Sequence, residues 1–200
     1  VAKAVRTRLE VDERRAQLLD LGIRAFSERS YDEVSIDDLA RAAGVSKGLL
    51  YHYFPTKRDF YVAALAHSSQ QLLALTLTPQ GEPAETRIRA GLEAYLDFVE
   101  RHGQAYVALM RGGIGSDVEV QAILERTRAT FVERIRENVP RHLATPLVRL
   151  TLRGWIGFVE ATSSEWLSRR TVPRRRLIEL LGNVLLSALS LAGGPEVPPC

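Results

Sequence analysis

The chain has 200 residues, 46% hydrophobic and 26% charged, with a net charge of +3. That size and balance suit one large or two small globular domains with a real core. They exclude a uniformly basic nucleic-acid-binding domain, and the lone cysteine, Cys200, excludes an intrachain disulfide framework. The first sixty residues hold 11 Lys and Arg against 10 Asp and Glu, so any nucleic-acid surface must be a local arrangement.

In chain order, Asp12 is placed to cap a helix running to about Arg29, with Leu19, Ile23 and Phe26 on one face. Ser35-Ile36-Asp37-Asp38 resembles a capping box and opens a short helix to Ala43, and Gly44 follows at a turn. Ser46 caps the next helix, which Pro55 stops. Thr56-Lys57-Arg58-Asp59 is a second box-like start, for a helix to about Leu75. TPQGEP (78–83) reads as a linker with Pro83 in a first turn. Helices then run to about Arg101, from Gln104 to Arg111, and, after GGIGS (112–116), from the Ser116-Asp117 cap to about Asn138. Pro140 and Pro146 bracket a loop before a helix over Leu147–Arg169, and Pro173 opens the last one, to about Leu191. About nine helices without strand-like alternation predict an all-α fold.

The densest chemistry lies in VSKGLLYHYFPTKRDF (45–60), which holds two of the chain's three lysines. At about 100° per residue, Leu50 and Phe54 share one face and Gly48, Leu49 and His52 the opposite one, with Tyr51 and Tyr53 on the flanks. Two short helices joined by a glycine turn make a helix-turn-helix, whose second helix can enter the DNA major groove. Gly48 permits close backbone approach. Lys47 and Lys57 sit near helix starts that favour phosphate, and Ser35 and Ser46 can donate to phosphate. Leu49 suits a thymine methyl and His52 a base edge. On spacing alone, a core corner with exposed tyrosines is the competing reading.

The segment SIDDLARAAGVSKGLLYHYFPTKRDFY, through the elements A-x-x-A-G-V-S-K-G-x-L-Y-x-Y-F-x-x-K, resembles the DNA-binding region of TetR/AcrR-type regulators. The resemblance runs from about Ala16 to Tyr61. It implies DNA contacts by Ser35, Ser46, Lys47, Gly48, Leu49, Tyr51, His52 and Lys57. Tyr53 stands where many members carry His, and His52 where many carry Tyr or Trp. The resemblance also implies a helix-turn-helix domain over 1–56, a ligand-binding and dimerisation bundle over 57–200, double-stranded operator DNA as partner, and repression as the mode of action.

Helix 173–191 carries one thin polar strip, with Leu177, Leu181, Val184 and Ala188 among the apolar residues around the rest of its girth. Such a helix needs apolar neighbours on two sides, either a second copy of the chain or one large bundle. Helix 147–169 has one stripe through Trp155 and Val159, assigned to the interior, and a small-residue stripe through Phe158 and Ala161, assigned to a dimer. The resemblance implies a homodimer through these last two helices. Tyr95, Tyr106, Met110, Phe131, Trp155 and Val159 are the candidate lining for a small lipophilic effector, or else filled core. Glu160, in an apolar segment, is a candidate partner for a ligand or an arginine.

No nucleophile motif, P-loop, dinucleotide fingerprint or metal-ligand spacing occurs, so no catalytic residue, metal or cofactor is expected. No secretory signal is read, the apolar run 177–194 falls short of a spanning helix, and the single cysteine fits a reducing compartment. A cytoplasmic protein without a membrane partner is expected. A helical enzyme acting on a hydrophobic substrate, and an adaptor docking through 177–189, are the competing readings. Neither needs Lys47, Gly48 and Lys57 at their spacing.

Overall fold

The structure, a computed structural model, describes residues 2–29, 31–79, 81–111, 116–140 and 145–193, with the side chains of 2–12, 104, 108, 110 and 111 outside the description. The described residues form nine helices and no strand: α1 (Ala2–Glu28), α2 (Ile36–Ala43), α3 (Lys47–Tyr53), α4 (Lys57–Leu75), α5 (Ala84–Arg101), α6 (Gly103–Arg111), α7 (Val118–Arg136), α8 (Pro146–Arg169) and α9 (Arg174–Ala192). The all-α reading holds. One boundary differs: α1 starts at Ala2, ten residues before the expected cap at Asp12. Residues 2–11 are rich in Ala, Arg, Lys, Leu and Glu, and their summed propensity outweighs one capping side chain.

The chain divides into two compact units, Val1–Gln71 with Arg101–Ile123, and Leu72–Glu100 with Leu124–Cys200. In the first unit α1 packs against α2 and α6, and α2 against α3. Its core is aromatic. Phe54 and Phe60 have ring centroids 4.6 Å apart, Phe26 and Tyr61 4.9 Å, and Tyr31 and Tyr61 5.2 Å. Burial pushes the Tyr61 phenol up to about 12. Phe60 is fully buried and Phe54 nearly so, and the guanidinium of Arg15 lies 5.4 Å from the Phe54 ring centroid.

In the second unit α8 packs on α9. Its core includes Leu92, Tyr95, Leu96, Val99, Leu152, Trp155, Val159, Leu181 and Leu185. Two tryptophans bury their rings and place their one polar atom. Trp155 Nε1 donates to the Leu181 carbonyl at 2.9 Å, and Trp166 Nε1 to the Val172 carbonyl at 2.8 Å. Glu160 is ion-paired: Arg128 Nε donates to both its carboxylate oxygens at 2.9 and 3.1 Å.

Candidate nucleic-acid interface

Local hydrogen bonds fix the α2–α3 corner. Ser35 Oγ accepts the Asp38 N–H at 3.0 Å and Ser46 Oγ accepts the Leu49 N–H at 3.1 Å, so each serine caps its helix, and the Ser35 hydroxyl also bonds the Asp38 carboxyl and holds it below the usual carboxylate range. Gly44 adopts φ 63°, and the N–H groups of Gly44 and Val45 reach back to the carbonyls of Arg41 and Ala40, both at 3.1 Å. This Schellman turn requires a left-handed residue, hence the glycine. Phe54 ends α3, and Thr56 and Asp59 form the reciprocal box that starts α4.

The result is a short α3 with one face down and one face out. Leu50 is buried at 1% exposure beneath the corner. Lys47, Gly48, Leu49, Tyr51 and His52 are exposed, Leu49 at 38% and Tyr51 at 41%. A Cβ on Gly48 would meet nothing within 4 Å, so this side of the backbone is open to close approach. His52 and Tyr53 stand edge to face, with centroids 5.6 Å apart. All of these residues come from one helix seven residues long.

Two cations are partnered in ways that the sequence does not signal. The Lys47 ammonium lies 2.9 Å from Asp37 Oδ1, and the hydrogen bond to Asp37 and that carboxylate's charge hold its pKa above the ordinary lysine value. Lys57 Nζ sits 4.4 Å from the Tyr31 ring centroid and 3.4 Å from the Asp32 carbonyl oxygen. The corner is therefore a pre-formed exposed surface of backbone, hydroxyls, imidazole and two held ammonium groups. That chemistry suits a polyanion with readable base edges. Among the described residues no group of three or more His, Cys, Asp or Glu could hold a metal ion, and no helix is long and apolar enough to cross a membrane.

The other expected sites divide. Tyr95, Trp155 and Val159 are buried in the second unit, and Phe131 is half-buried there. Tyr106 is half-buried in the first unit, and the side chain of Met110 lies outside the described residues. A groove of about 710 Å³ does exist in the second unit, but it runs along α5 and α9 and none of those six residues lines it. Its walls mix Ile88, Leu92, Ile178 and Leu186 with Glu85, Glu93, Arg174 and Glu179. Of the residues assigned to a dimer contact, Ala161 is exposed, and Phe158, Val184 and Ala188 are half-buried. Leu177 and Leu181 lie deeper. They are 4% and 0% exposed within the single chain, because α9 turns that edge onto its own core.

An exposed recognition helix on a capped corner, in a chain that continues into a larger helical region, defines a DNA-binding transcriptional regulator of the helix-turn-helix class. Residues 18–64 match the model of the bacterial regulatory proteins of the tetR family, and residues 84–187 match the tetracyclin repressor-like C-terminal domain. The chain belongs to the TetR family of transcriptional regulators. It is similar to a tetR-family transcriptional regulator from Streptomyces coelicolor of known crystal structure, with TM-score 0.83, 36% identity, and 90% of this chain and 82% of that one covered. It is also similar to the HTH-type transcriptional activator FasR of Mycolicibacterium smegmatis, 29% identical over 80% of this chain and 75% of that protein. The HTH-type transcriptional repressor KstR of Rhodococcus jostii is 25% identical over 80% of this chain and 75% of that protein.

Proposed function

We propose that the protein is a homodimeric, ligand-responsive repressor that leaves its operator when a small lipophilic molecule binds. The observation that carries the DNA half is the α3 face, with Leu50 and Phe54 anchored below and Lys47, Gly48, Leu49, Tyr51 and His52 presented above. Residues 1–56 read the DNA. Residues 57–200 bind the effector and dimerise. Large exposed leucines on both terminal helices, Leu147 and Leu150 on α8 and Leu180 and Leu191 on α9, support an additional apolar partner, and the reading assigns that partner as a second copy. The buried aromatics Tyr95 and Trp155, with Val159 and Phe131, support a lipophilic effector. The protein acts by binding and not by catalysis, and it works in the cytoplasm, where a bacterial operator lies.

Repression needs only occupancy of the operator, and the similarity to KstR supports it. The similarity to FasR supports a second reading, activation from an upstream site. Transcription in vitro from a template carrying the selected operator separates them. A repressor lowers the transcript yield as protein is added and restores it when an effector found by screening is present. An activator raises the yield, and a protein that enriches no duplex from a random pool overturns both readings.

A further inference from the structure

One strong contact of the first unit is absorbed by none of the roles above. Arg58, the second residue of α4, grips the start of α7. Its Nε and Nη2 donate to Asp117 Oδ2 and Oδ1, both at 2.7 Å, and Nη1 donates to Glu119 Oε2 at 3.0 Å. This is the two-bond fork that only a guanidinium makes. Asp117 is fixed from the other side, because its Oδ1 also accepts the Glu119 and Val120 N–H groups at 2.9 and 3.3 Å, capping α7. Its side chain is 18% exposed. The arginine binds it at one end and the helix start at the other, so the carboxylate is a rigid post.

What the post holds is the base of the recognition helix. Arg58 lies inside the Thr56–Asp59 box that opens α4, next to Lys57. Two residues further on, the fully buried Phe60 packs at a tilt against the ring of Phe54, which ends α3. The path Asp117, Arg58, Phe60, Phe54, α3 stays within the first unit and is made of buried rings and paired ions.

We propose that Arg58 and Asp117 are positioning residues for DNA binding: the clamp fixes the first turn of α4, and through Phe60 and Phe54 it holds α3 in the orientation that reads bases. The proposal rests on the DNA-binding reading. Its physical basis is pre-organisation, since a recognition helix that must be ordered on contact binds more weakly by the cost of ordering it. It competes with a purely electrostatic expectation of opposite sign. Removing the Asp117 charge leaves Arg58 with Glu119 and adds net positive charge beside Lys57, which by itself should strengthen binding to any DNA.

The test uses the full chain, a duplex that the wild type enriches from a random pool, and an unselected duplex of equal length. Asp117→Asn removes the charge but keeps a good capping side chain. Arg58→Lys keeps the charge and loses the fork, and it serves where the first variant lowers the folded fraction. Fluorescence anisotropy over a salt series, with thermal unfolding of the same samples, gives the readout. For both variants the expected result is affinity for the selected duplex about tenfold weaker, with the log–log salt slope and the affinity for the unselected duplex unchanged. Unchanged affinity for the selected duplex overturns the proposal. So does tighter binding by Asp117→Asn with a slope steeper by about 1, which would make Arg58 a phosphate contact restrained by its partner. Equal loss on both duplexes also overturns it, since that reports general loss of folded protein. A wild type that enriches no duplex overturns the DNA-binding reading itself.

Discussion

Gly22 of α1 lies directly against the ring of Phe60 on α4: a Cβ built at Gly22 would come within 2.7 Å of Phe60 Cζ and 3.2 Å of both Cε atoms. The ring cannot retreat, because it is fully buried with the Phe54 ring 4.6 Å away and the Phe26 ring 6.0 Å away, centroid to centroid. Gly22→Ala therefore sets a gain in helix propensity of about 1 kcal/mol against an overpacking cost of about 1–3 kcal/mol. The expected net is a loss of stability, seen as a lower urea midpoint with an unchanged m-value. A midpoint equal to or above that of the wild type would refute the packing argument.

The same pair marks the limit of what the sequence made legible. The α2–α3 corner could be read because its determinants are neighbours. Ser35 with Asp38, Gly44 with Val45, Ser46 with Leu49 and Thr56 with Asp59 all act within three residues. Gly22 with Phe60 and Arg58 with Asp117 are joined only by the tertiary fold, so no local pattern signals either pair. Periodicity failed differently on α9. It gave the apolar arc correctly but could not say which edge meets the chain's own core. Leu181 is fully buried and its neighbour Leu180 is 49% exposed, yet the two differ little in pattern. At the N-terminus a single cap signal at Asp12 was outweighed by the good helix formers among residues 2–11, which are Ala, Lys, Arg, Leu and Glu.

DNA contact is expected to divide into two kinds. Lys57→Ala should weaken binding to all duplexes and reduce the magnitude of the log–log salt slope by about 1, one phosphate's worth. An unchanged slope would mean that Lys57 stays on Tyr31 and Asp32, where it now lies.

His52→Ala should instead cost about 1–3 kcal/mol on the selected duplex and relax preference at one position per half-site. The imidazole is exposed on α3, edge to face with Tyr53 of the same helix. Selection from a random pool by the variant checks this. An unchanged preferred sequence would move base readout to Lys47 or Tyr51.

His102 gives the first unit a pH dependence of predictable sign. Ser27 Oγ donates to the Ile23 carbonyl at 2.7 Å, so its 3.0 Å contact with His102 Nδ1 requires the neutral ring to donate. Burial, and then the charge of Arg101, hold the His102 pKa below its ordinary value. The unfolded chain thus binds a proton that the native ring resists. The stability from this group is fully present above about pH 6.5 and is lost as pH falls from there through the lower native value. His102→Asn keeps a donor for Ser27 and cannot titrate. Its urea midpoint should fall less than that of the wild type between about pH 7 and about pH 5. An equal fall in the two proteins would assign the acid sensitivity elsewhere.

The dimer is tested by contrasting two substitutions that look alike on a helical wheel. Leu181 is fully buried, and its backbone carbonyl accepts from Trp155, so Leu181→Glu should unfold the second unit by stranding a charge in the core. Ala161 is exposed on α8, so Ala161→Arg should leave the chain folded, with a single cooperative unfolding transition lowered only by the loss of dimer linkage. If α8 and α9 form the interface, that arginine meets the same surface of the second copy, as two-fold symmetry requires, and the like charges oppose each other. The variant should then sediment as a monomer at micromolar concentration. It should also lose most of its affinity for a two-half-site duplex, because only a dimer can set two recognition helices about 34–36 Å apart in successive major grooves. Binding to a single half-site should survive, which separates loss of dimer from loss of the DNA surface. An Ala161→Arg protein that remains dimeric would place the interface on another face of the molecule.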